Sequence, residues 1–157
     1  MSLVVDTSAV MAIVLDEPGA AELAKRLAAH DRPIISAVSV VETSIVAEAR
    51  LGAVGTILVQ QVIREARITT IDVTSETALD ALEGWRAYGK GRHPAALNLG
   101  DCFTYALAKR RRAPILCTGN DFARTDAAVE PLGGGANRQS DEREDGIRAV
   151  RSSLTPT

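Results

Sequence analysis

Four acidic residues stand at boundaries between predicted strands and helices, far apart in the chain. Asp6 and Asp121 each follow a short apolar run, and Glu42 and Asp101 lie near the predicted starts of two helices. Carboxylates gathered at one edge of a sheet would repel one another unless a cation neutralised them. Oxygen donors of this kind select Mg²⁺, with Mn²⁺ as the alternative. Such a site suits hydrolysis of a phosphodiester bond, because a bound metal orients the phosphate and activates a water molecule.

Each of these acids also has a purely structural interpretation as a helix cap, since Asp is a common N-cap residue. Ser39 and Glu42 match the Ser-x-x-Glu capping box, and Asn98 with Asp101 comes close to it. Against capping alone, small or apolar residues flank Glu42 and Asp101, which predicts partial burial and a need for partners. From these residues alone, both interpretations stay open.

Short β-branched segments alternate with helical segments over residues 1–132, which predicts one α/β domain. We expect a mainly parallel sheet of four to five strands, covered by helices on both faces. The predicted strands cover residues 3–5, 34–35, 68–73 and 114–118, with an edge strand at 129–132. The predicted helices cover residues 9–15, 20–29, 40–51, 54–67, 74–88 and 97–112.

Residues 133–157 differ in composition from the rest of the chain. The segment opens with three glycines and then mixes four arginines with four acids, so its net charge is zero. It contains too few apolar residues to build a core, and we predict a disordered C-terminal tail.

The overall composition limits the classes of function. The 157 residues are 46% hydrophobic and carry a net charge of −2, which argues against nucleic-acid binding through bulk positive charge. Cys102 and Cys117 lie in apolar segments, so we expect buried free thiols rather than a disulfide or a zinc site. No signal peptide and no run of about 18 apolar residues is present, so we expect a cytoplasmic protein without a membrane contact.

Four segments in order resemble the PIN-domain ribonucleases, and among them the VapC-type toxins of bacterial toxin–antitoxin pairs. The segments are Val-Val-Asp-Thr-Ser-Ala at 4–9, Ser-Val-Val-Glu-Thr at 39–43, the stretch 88–103 with Gly-Asp-Cys-Phe at its end, and Thr-Gly-Asn-Asp-Phe at 118–122. The Asp-Thr-Ser opening alone is a weak signal, and the ordered set is specific. The resemblance covers residues 2–132.

The resemblance implies a three-layer α/β/α fold and an Mg²⁺-dependent endoribonuclease that cleaves RNA, often tRNA or rRNA. Asp6 and Asp101 would be the principal Mg²⁺ ligands, and Glu42 and Asp121 would complete the site directly or through water. The implied partners are the RNA substrate, a second copy of the chain, and a VapB-type antitoxin. In related complexes a basic side chain of the antitoxin can enter the acidic pocket.

Other residues near the predicted site could contact the RNA. Thr7 and Ser8 are predicted first to cap the next helix and second to bind a phosphate or a metal-bound water. Lys90, Arg92 and His93 form a basic loop that could bind phosphates beside the cleaved bond, with a solvated loop as the alternative.

Two further functions remain open from the sequence. One is a catalytically silent PIN-like module that binds RNA or protein, in which the acids serve only as caps. A phosphatase of the haloacid-dehalogenase type is weaker, because Ser8 stands where its second aspartate would be.

Overall fold

A computed structural model describes residues 2–132, which form a four-stranded parallel sheet with helices on both faces. The strands, in chain order, are β1 (Leu3–Val5), β2 (Pro33–Ser36), β3 (Thr69–Ile71) and β4 (Ile115–Leu116). The helices are α1 (Thr7–Val14), α2 (Ala20–Ala29), α3 (Ala37–Leu51), α4 (Val54–Glu65), α5 (Ser75–Tyr88) and α6 (Leu99–Arg111), and a short 3₁₀ turn spans Phe122–Arg124. The predicted α/β class and strand number are confirmed.

The central strand is β1, whose three residues have no exposed surface. Side chains alternate along a strand, so Leu3 and Val5 pack into the core on one face and Val4 into the core on the other. The first core also contains the buried faces of α1, α2 and α4, and the second contains those of α5 and α6. Both faces of β1 are therefore covered, which explains its unbroken run of apolar residues.

The strand order is β3-β2-β1-β4, so the chain reverses its direction of travel across the sheet beside β1. Val5 and Leu116 are register partners, and the amide of Asp6 donates to the carbonyl of Leu116 at 3.0 Å. The residues that follow β1 and β4 therefore leave the sheet side by side. In open α/β sheets, this reversal point at the carboxyl ends of the strands is where ligands bind.

The start of α3 differs from the sequence prediction. The helix begins at Ala37, and its N-cap is Ser36, whose hydroxyl accepts from the amide of Val38 at 3.3 Å. Ser39 is therefore inside the helix, and the predicted Ser39–Glu42 capping box is wrong. The helix starts earlier because β2 runs directly into it, with no loop between them.

The cap of α1 is the acid, as its structural interpretation predicted, and not one of the two hydroxyl residues that follow it. Asp6 is the N-cap, and its carboxylate accepts from the amide of Ser8 at 2.9 Å. Thr7 and Ser8 are the first two residues of the helix, so their predicted role as caps is wrong. A carboxylate one residue earlier already satisfies the exposed amide at this helix start.

Near the end of the described chain, Val129 makes only an isolated bridge to Ile115, so the predicted edge strand at 129–132 is wrong. The predicted tail at 133–157 lies outside the described residues. Cys102 and Cys117 are free and buried, as predicted. Within residues 2–132, no helix combines the length and the apolar character needed to cross a membrane.

Candidate active site

A cavity of about 230 Å³ opens at the carboxyl ends of β1 and β4, and all four predicted acids line it. The remaining lining residues are Thr7, Ser8, Asn98, Thr118 and Phe122. Among the described residues, no lysine or arginine contributes to this lining. The four carboxylates come from four separate segments, so the fold gathers negative charge here without a basic partner.

Asp6 is the most buried of the four, with 3% of its surface exposed. Its Oδ2 atom accepts from the amide of Ser8 at 2.9 Å and from the Ser8 hydroxyl at 2.7 Å. Its Oδ1 atom accepts from the hydroxyl of Thr104 at 2.9 Å. Ser8 in turn accepts from the amide of Thr118, at 3.1 Å, which ties the segments after β1 and β4 together. Three donors thus compensate the burial of this carboxylate.

Glu42 reaches the cavity from α3, where it lies one turn beyond the start of the helix. Its Oε2 atom accepts from the hydroxyl of Thr7 at 2.9 Å. Gly100, near the start of α6, faces this carboxylate so closely that a methyl group at position 100 would collide with it. The carboxylate therefore occupies space that only a glycine leaves free.

Asp101 has two connections, one to its own helix and one to the cavity. It closes a capping box, because its Oδ2 atom accepts from the amide of Asn98 while its own amide donates to the Asn98 side chain, both at 2.9 Å. Burial raises the pKa of the Asp101 carboxyl to about 6, and the negative charges of Asp6, Glu42 and Asp121 also raise it. The bond from Asn98 opposes this rise. Capping and a place in the cavity are thus compatible.

Asp121 lies in the turn after β4 and is exposed. It precedes the 3₁₀ turn, but its side chain makes no capping hydrogen bond there. The structure gives it no capping role, and it lines the cavity with the other three acids.

The acids line the cavity without converging on one point. Within residues 2–132, no group of three or more His, Cys, Asp or Glu side chains is close enough to hold a metal ion as it stands. Glu42 and Asp101 are each engaged by a neighbouring donor. The donor chemistry nevertheless fits a hard cation, because Mg²⁺ keeps several waters and needs only one or two direct carboxylate bonds.

The structure separates the predicted RNA-contact residues into two groups. Thr7 and Ser8 line the cavity, whereas Lys90, Arg92 and His93 do not. The guanidinium of Arg92 lies over the Trp85 ring, 4.2 Å from its centre. The His93 ring packs edge-on against Tyr88 and accepts from the amide of Ala95, at 3.1 Å. Any RNA contact by this loop would therefore lie outside the acidic cavity.

Three residues at the site escaped the sequence analysis. Thr104 and Ser39 form a buried hydroxyl pair beside Asp6, and Gly100 makes room for Glu42. A signal existed for the two hydroxyls, because Thr104 follows Asp101 by three residues and Ser39 precedes Glu42 by three. Residues three apart share a helix face, so both would be expected to face the acids.

Comparison with known proteins identifies the relatives of this chain. The PIN domain family matches residues 3–128. VapC ribonuclease Mb0640 of Mycobacterium bovis is 40% identical over 130 residues, which are 83% of this chain and 99% of that protein. Ribonuclease VapC36 of Mycobacterium tuberculosis is 43% identical over 125 residues, which are 79% of this chain and 90% of that protein.

A solved structure adds support for the fold. The crystal structure of Mycobacterium tuberculosis VapC20, described as a Sarcin-Ricin loop cleaving toxin, matches with a TM-score of 0.66 at 18% identity. The match covers 80% of this chain and 96% of that one. At this identity the likeness concerns the fold alone. The family match and the 40–43% identical relatives show that this chain belongs to the PIN-domain family, among its VapC endoribonuclease toxins.

Proposed function

We propose that this endoribonuclease depends on Mg²⁺, or on Mn²⁺ in its place, and that its substrate is tRNA or rRNA in the cytoplasm. The observation that supports the metal is the cavity itself, where four carboxylates lie together without a lysine or arginine among the described lining residues. Carboxylates that share one cavity repel one another unless a cation lies between them. The raised pKa of Asp101 follows from burial first, and the charges of the other three acids add to it.

The four acids and the two hydroxyl residues of the cavity would have different roles. Asp6 and Asp101 would hold the cation, and Glu42 and Asp121 would complete the site directly or through water. A bound Mg²⁺ would neutralise the cavity, orient the scissile phosphate and lower the pKa of a water molecule. The Thr7 hydroxyl donates to Glu42 and holds that carboxylate in the cavity. The Ser8 hydroxyl donates to Oδ2 of Asp6 and holds that carboxylate from one side.

The alternative function, a silent module that binds RNA or protein, has one observation in its favour. Asp6 and Asp101 both cap helices, so each would have a structural reason to be acidic without any catalysis. Substitution by asparagine separates the two explanations, because Asn caps helices about as well as Asp but is a much poorer cation ligand.

The deciding experiment measures cleavage of tRNA and rRNA by the purified chain with Mg²⁺ and with EDTA. We expect cleavage with Mg²⁺ only, and a loss of about 100-fold or more in Asp6→Asn and Asp101→Asn, the scale of losing one key electrostatic group. Asp80→Asn is the matched control, since Asp80 is a half-buried acid outside the cavity and is paired with Arg110. Full Mg²⁺-dependent activity in both site variants would overturn the assignment of Asp6 and Asp101 as metal ligands, and no cleavage by the wild-type chain would favour the silent module.

A VapB-type antitoxin is the second proposed partner. Beside the cavity, exposed side chains of α3 and α6 line an apolar groove of about 580 Å³, and Glu42 belongs to both. Val41, Ile45 and Leu99 are 58%, 64% and 74% exposed there. A segment with apolar residues followed by a basic one would suit the groove and the acidic cavity together. Co-purification with the antitoxin, and its loss in Val41→Asp, tests this assignment.

A homodimer is the remaining proposal on assembly. The exposed apolar side chains of α5, at Leu79, Leu82 and Trp85, offer a second surface for a copy of the chain. Light scattering of the purified protein should give twice the chain mass, and Leu79→Lys should shift it toward one chain mass.

A further inference from the structure

Two buried hydroxyl groups connect α3 and α6 to the carboxylate of Asp6. Thr104 Oγ1 donates to Asp6 Oδ1 at 2.9 Å, and Ser39 Oγ lies 3.2 Å from Thr104 Oγ1. Thr104 and Ser39 have no exposed surface. The three residues come from three different parts of the chain, so this is a tertiary arrangement rather than a local helix cap.

The direction of the chain of hydrogen bonds follows from the carboxylate. An ionised carboxylate only accepts, so the single hydroxyl proton of Thr104 is used on Asp6. The Thr104 oxygen can then only accept from Ser39, which must donate. The order is therefore Ser39 to Thr104 to Asp6, and each donor polarises the next.

The two carboxylate oxygens of Asp6 accept different numbers of hydrogen bonds. Oδ2 accepts two hydrogen bonds from Ser8, one from the amide and one from the hydroxyl. Oδ1 accepts one, from Thr104. A carboxylate has about four acceptor positions, so the position left open lies on Oδ1. Thr104 is the residue that holds this oxygen and thereby sets the rotation of the carboxylate group.

We propose that Thr104, supported by Ser39, is a positioning residue that fixes the Asp6 carboxylate with Oδ1 available to a divalent cation. The proposal rests on the Mg²⁺-dependent function described above. Thr104 itself does not contact the cation, since it does not line the cavity. Its effect passes through Asp6, as with other groups that orient metal ligands from behind.

A purely structural role is the competing explanation, because a buried threonine could serve only to fill space and satisfy its own hydroxyl. Thr43 provides the matched control. It too has no exposed surface, and its hydroxyl donates to the Ser39 carbonyl at 2.6 Å, within α3. Thr43→Val removes a buried hydroxyl from the same region without touching the bond to Asp6.

The experiment is a calorimetric titration of each full-length variant with MgCl₂, with urea unfolding in EDTA recorded alongside. We expect Thr104→Val to weaken Mg²⁺ binding about 10- to 100-fold, the usual range for residues that orient a metal ligand. Thr104→Ser keeps the hydroxyl and should restore the wild-type midpoint. Ser39→Ala should shift the midpoint less than Thr104→Val, because Thr104 retains its proton for Asp6. Thr43→Val should leave the midpoint unchanged, whatever it does to unfolding.

Cleavage assays at saturating Mg²⁺ give a second readout. Thr104→Val should lower kcat while leaving KM for the RNA unchanged, since no RNA-contacting group is altered. If Thr104→Val does not fold, Ser39→Ala decides the matter: a larger shift of the Mg²⁺ midpoint than in Thr43→Val supports the proposal, and an equal shift overturns it.

The failures of the two proposals are distinguishable. A wild-type chain that neither binds Mg²⁺ nor cleaves RNA would overturn the Mg²⁺-dependent function and this inference with it. A wild-type chain that does both, with Thr104→Val binding Mg²⁺ equally well, would overturn only the positioning role. Equal weakening in Thr104→Val and Thr43→Val would also overturn it.

Discussion

Gly100 lies directly against the carboxylate of Glu42, and the space that a side chain would need at position 100 is filled by that carboxylate. The two residues come from different helices, α6 and α3, which meet at the cavity. Gly100 is fully surrounded within the first turn of α6, where a glycine is otherwise unfavourable. The glycine is therefore explained by its contact with an acid of the site and not by the conformation of the helix.

Gly100→Ala should reduce Mg²⁺-dependent cleavage, because the new methyl group must displace the Glu42 carboxylate from its position. The comparison background is Glu42→Ala, in which no carboxylate stands in the way. There, Gly100→Ala should stabilise the protein by about 1 kcal/mol, since alanine favours a helix over glycine. Cleavage assays of Gly100→Ala and urea unfolding of the wild type and the three variants form the cycle. An equal change in the free energy of unfolding on Gly100→Ala in both backgrounds would contradict a route through Glu42.

The two cysteines should be inert toward thiol reagents in the folded protein. Burial first, and nearby site carboxylates second, together raise the pKa of the Cys117 thiol to about 12 and that of Cys102 to about 11. The thiolate is the reactive form, so a raised pKa lowers its population at neutral pH. With Ellman's reagent at pH 8, native protein should react slowly and protein in urea should yield two thiols per chain. Rapid labelling of the native chain would contradict this.

Most of the fold could be predicted from the sequence because its signals are local. Apolar runs such as Leu3–Val5 mark buried strands, and the helix predicted at 74–88 is α5, which begins one residue later. The boundary of α3 was missed because β2 continues into it without a turn signal, so Ser39 matched the capping pattern better than Ser36. Helix ends depend on such neighbours as well as on the local sequence.

The site was predicted less completely than the fold. The carboxyl ends of parallel strands share an edge, so a common position for Asp6 and Asp121 followed from the topology. The contacts of Thr104 with Asp6 and of Gly100 with Glu42 join distant segments. Local spacing places Thr104 on the same helix face as Asp101, but it does not identify Asp6 as the partner. They depend on how α3 and α6 pack against each other, which becomes visible only in three dimensions.

Asn98→Ala should destabilise the chain by about 1 kcal/mol, the usual cost of losing an N-cap side chain. The Asn98 side chain accepts from the amide of Asp101, which has no helical partner of its own. Asn98→Ser keeps an acceptor and should recover most of the loss. Urea unfolding in EDTA measures the effect without a contribution from metal. If Asn98→Ala leaves the free energy of unfolding unchanged within error, water replaces the Asn98 side chain as the acceptor.

Binding of Mg²⁺ should release a proton near pH 6, because the pKa of the Asp101 carboxyl is raised to about 6 by burial first and then by the other three acids. At pH 7.5 the group is ionised and binds without competition, whereas at pH 5 a proton must leave first. The midpoint for Mg²⁺ should therefore be about tenfold higher at pH 5 than at pH 7.5, a factor of ten being one pKa unit of linkage.

Without metal, in EDTA, the free energy of unfolding should change with pH in the opposite sense to Mg²⁺ affinity. A carboxyl whose pKa is raised by folding favours the folded state below its ordinary pKa of 3.8, and this contribution is lost as pH rises through about 6. Asp101→Asn should consequently be more stable than the wild type at pH 7.5 in EDTA, with the difference vanishing toward acid pH. Calorimetric titrations in buffers of different ionisation enthalpy count the released protons, and a wild-type count that matches Asp101→Asn at pH 6 would assign the titration to another group.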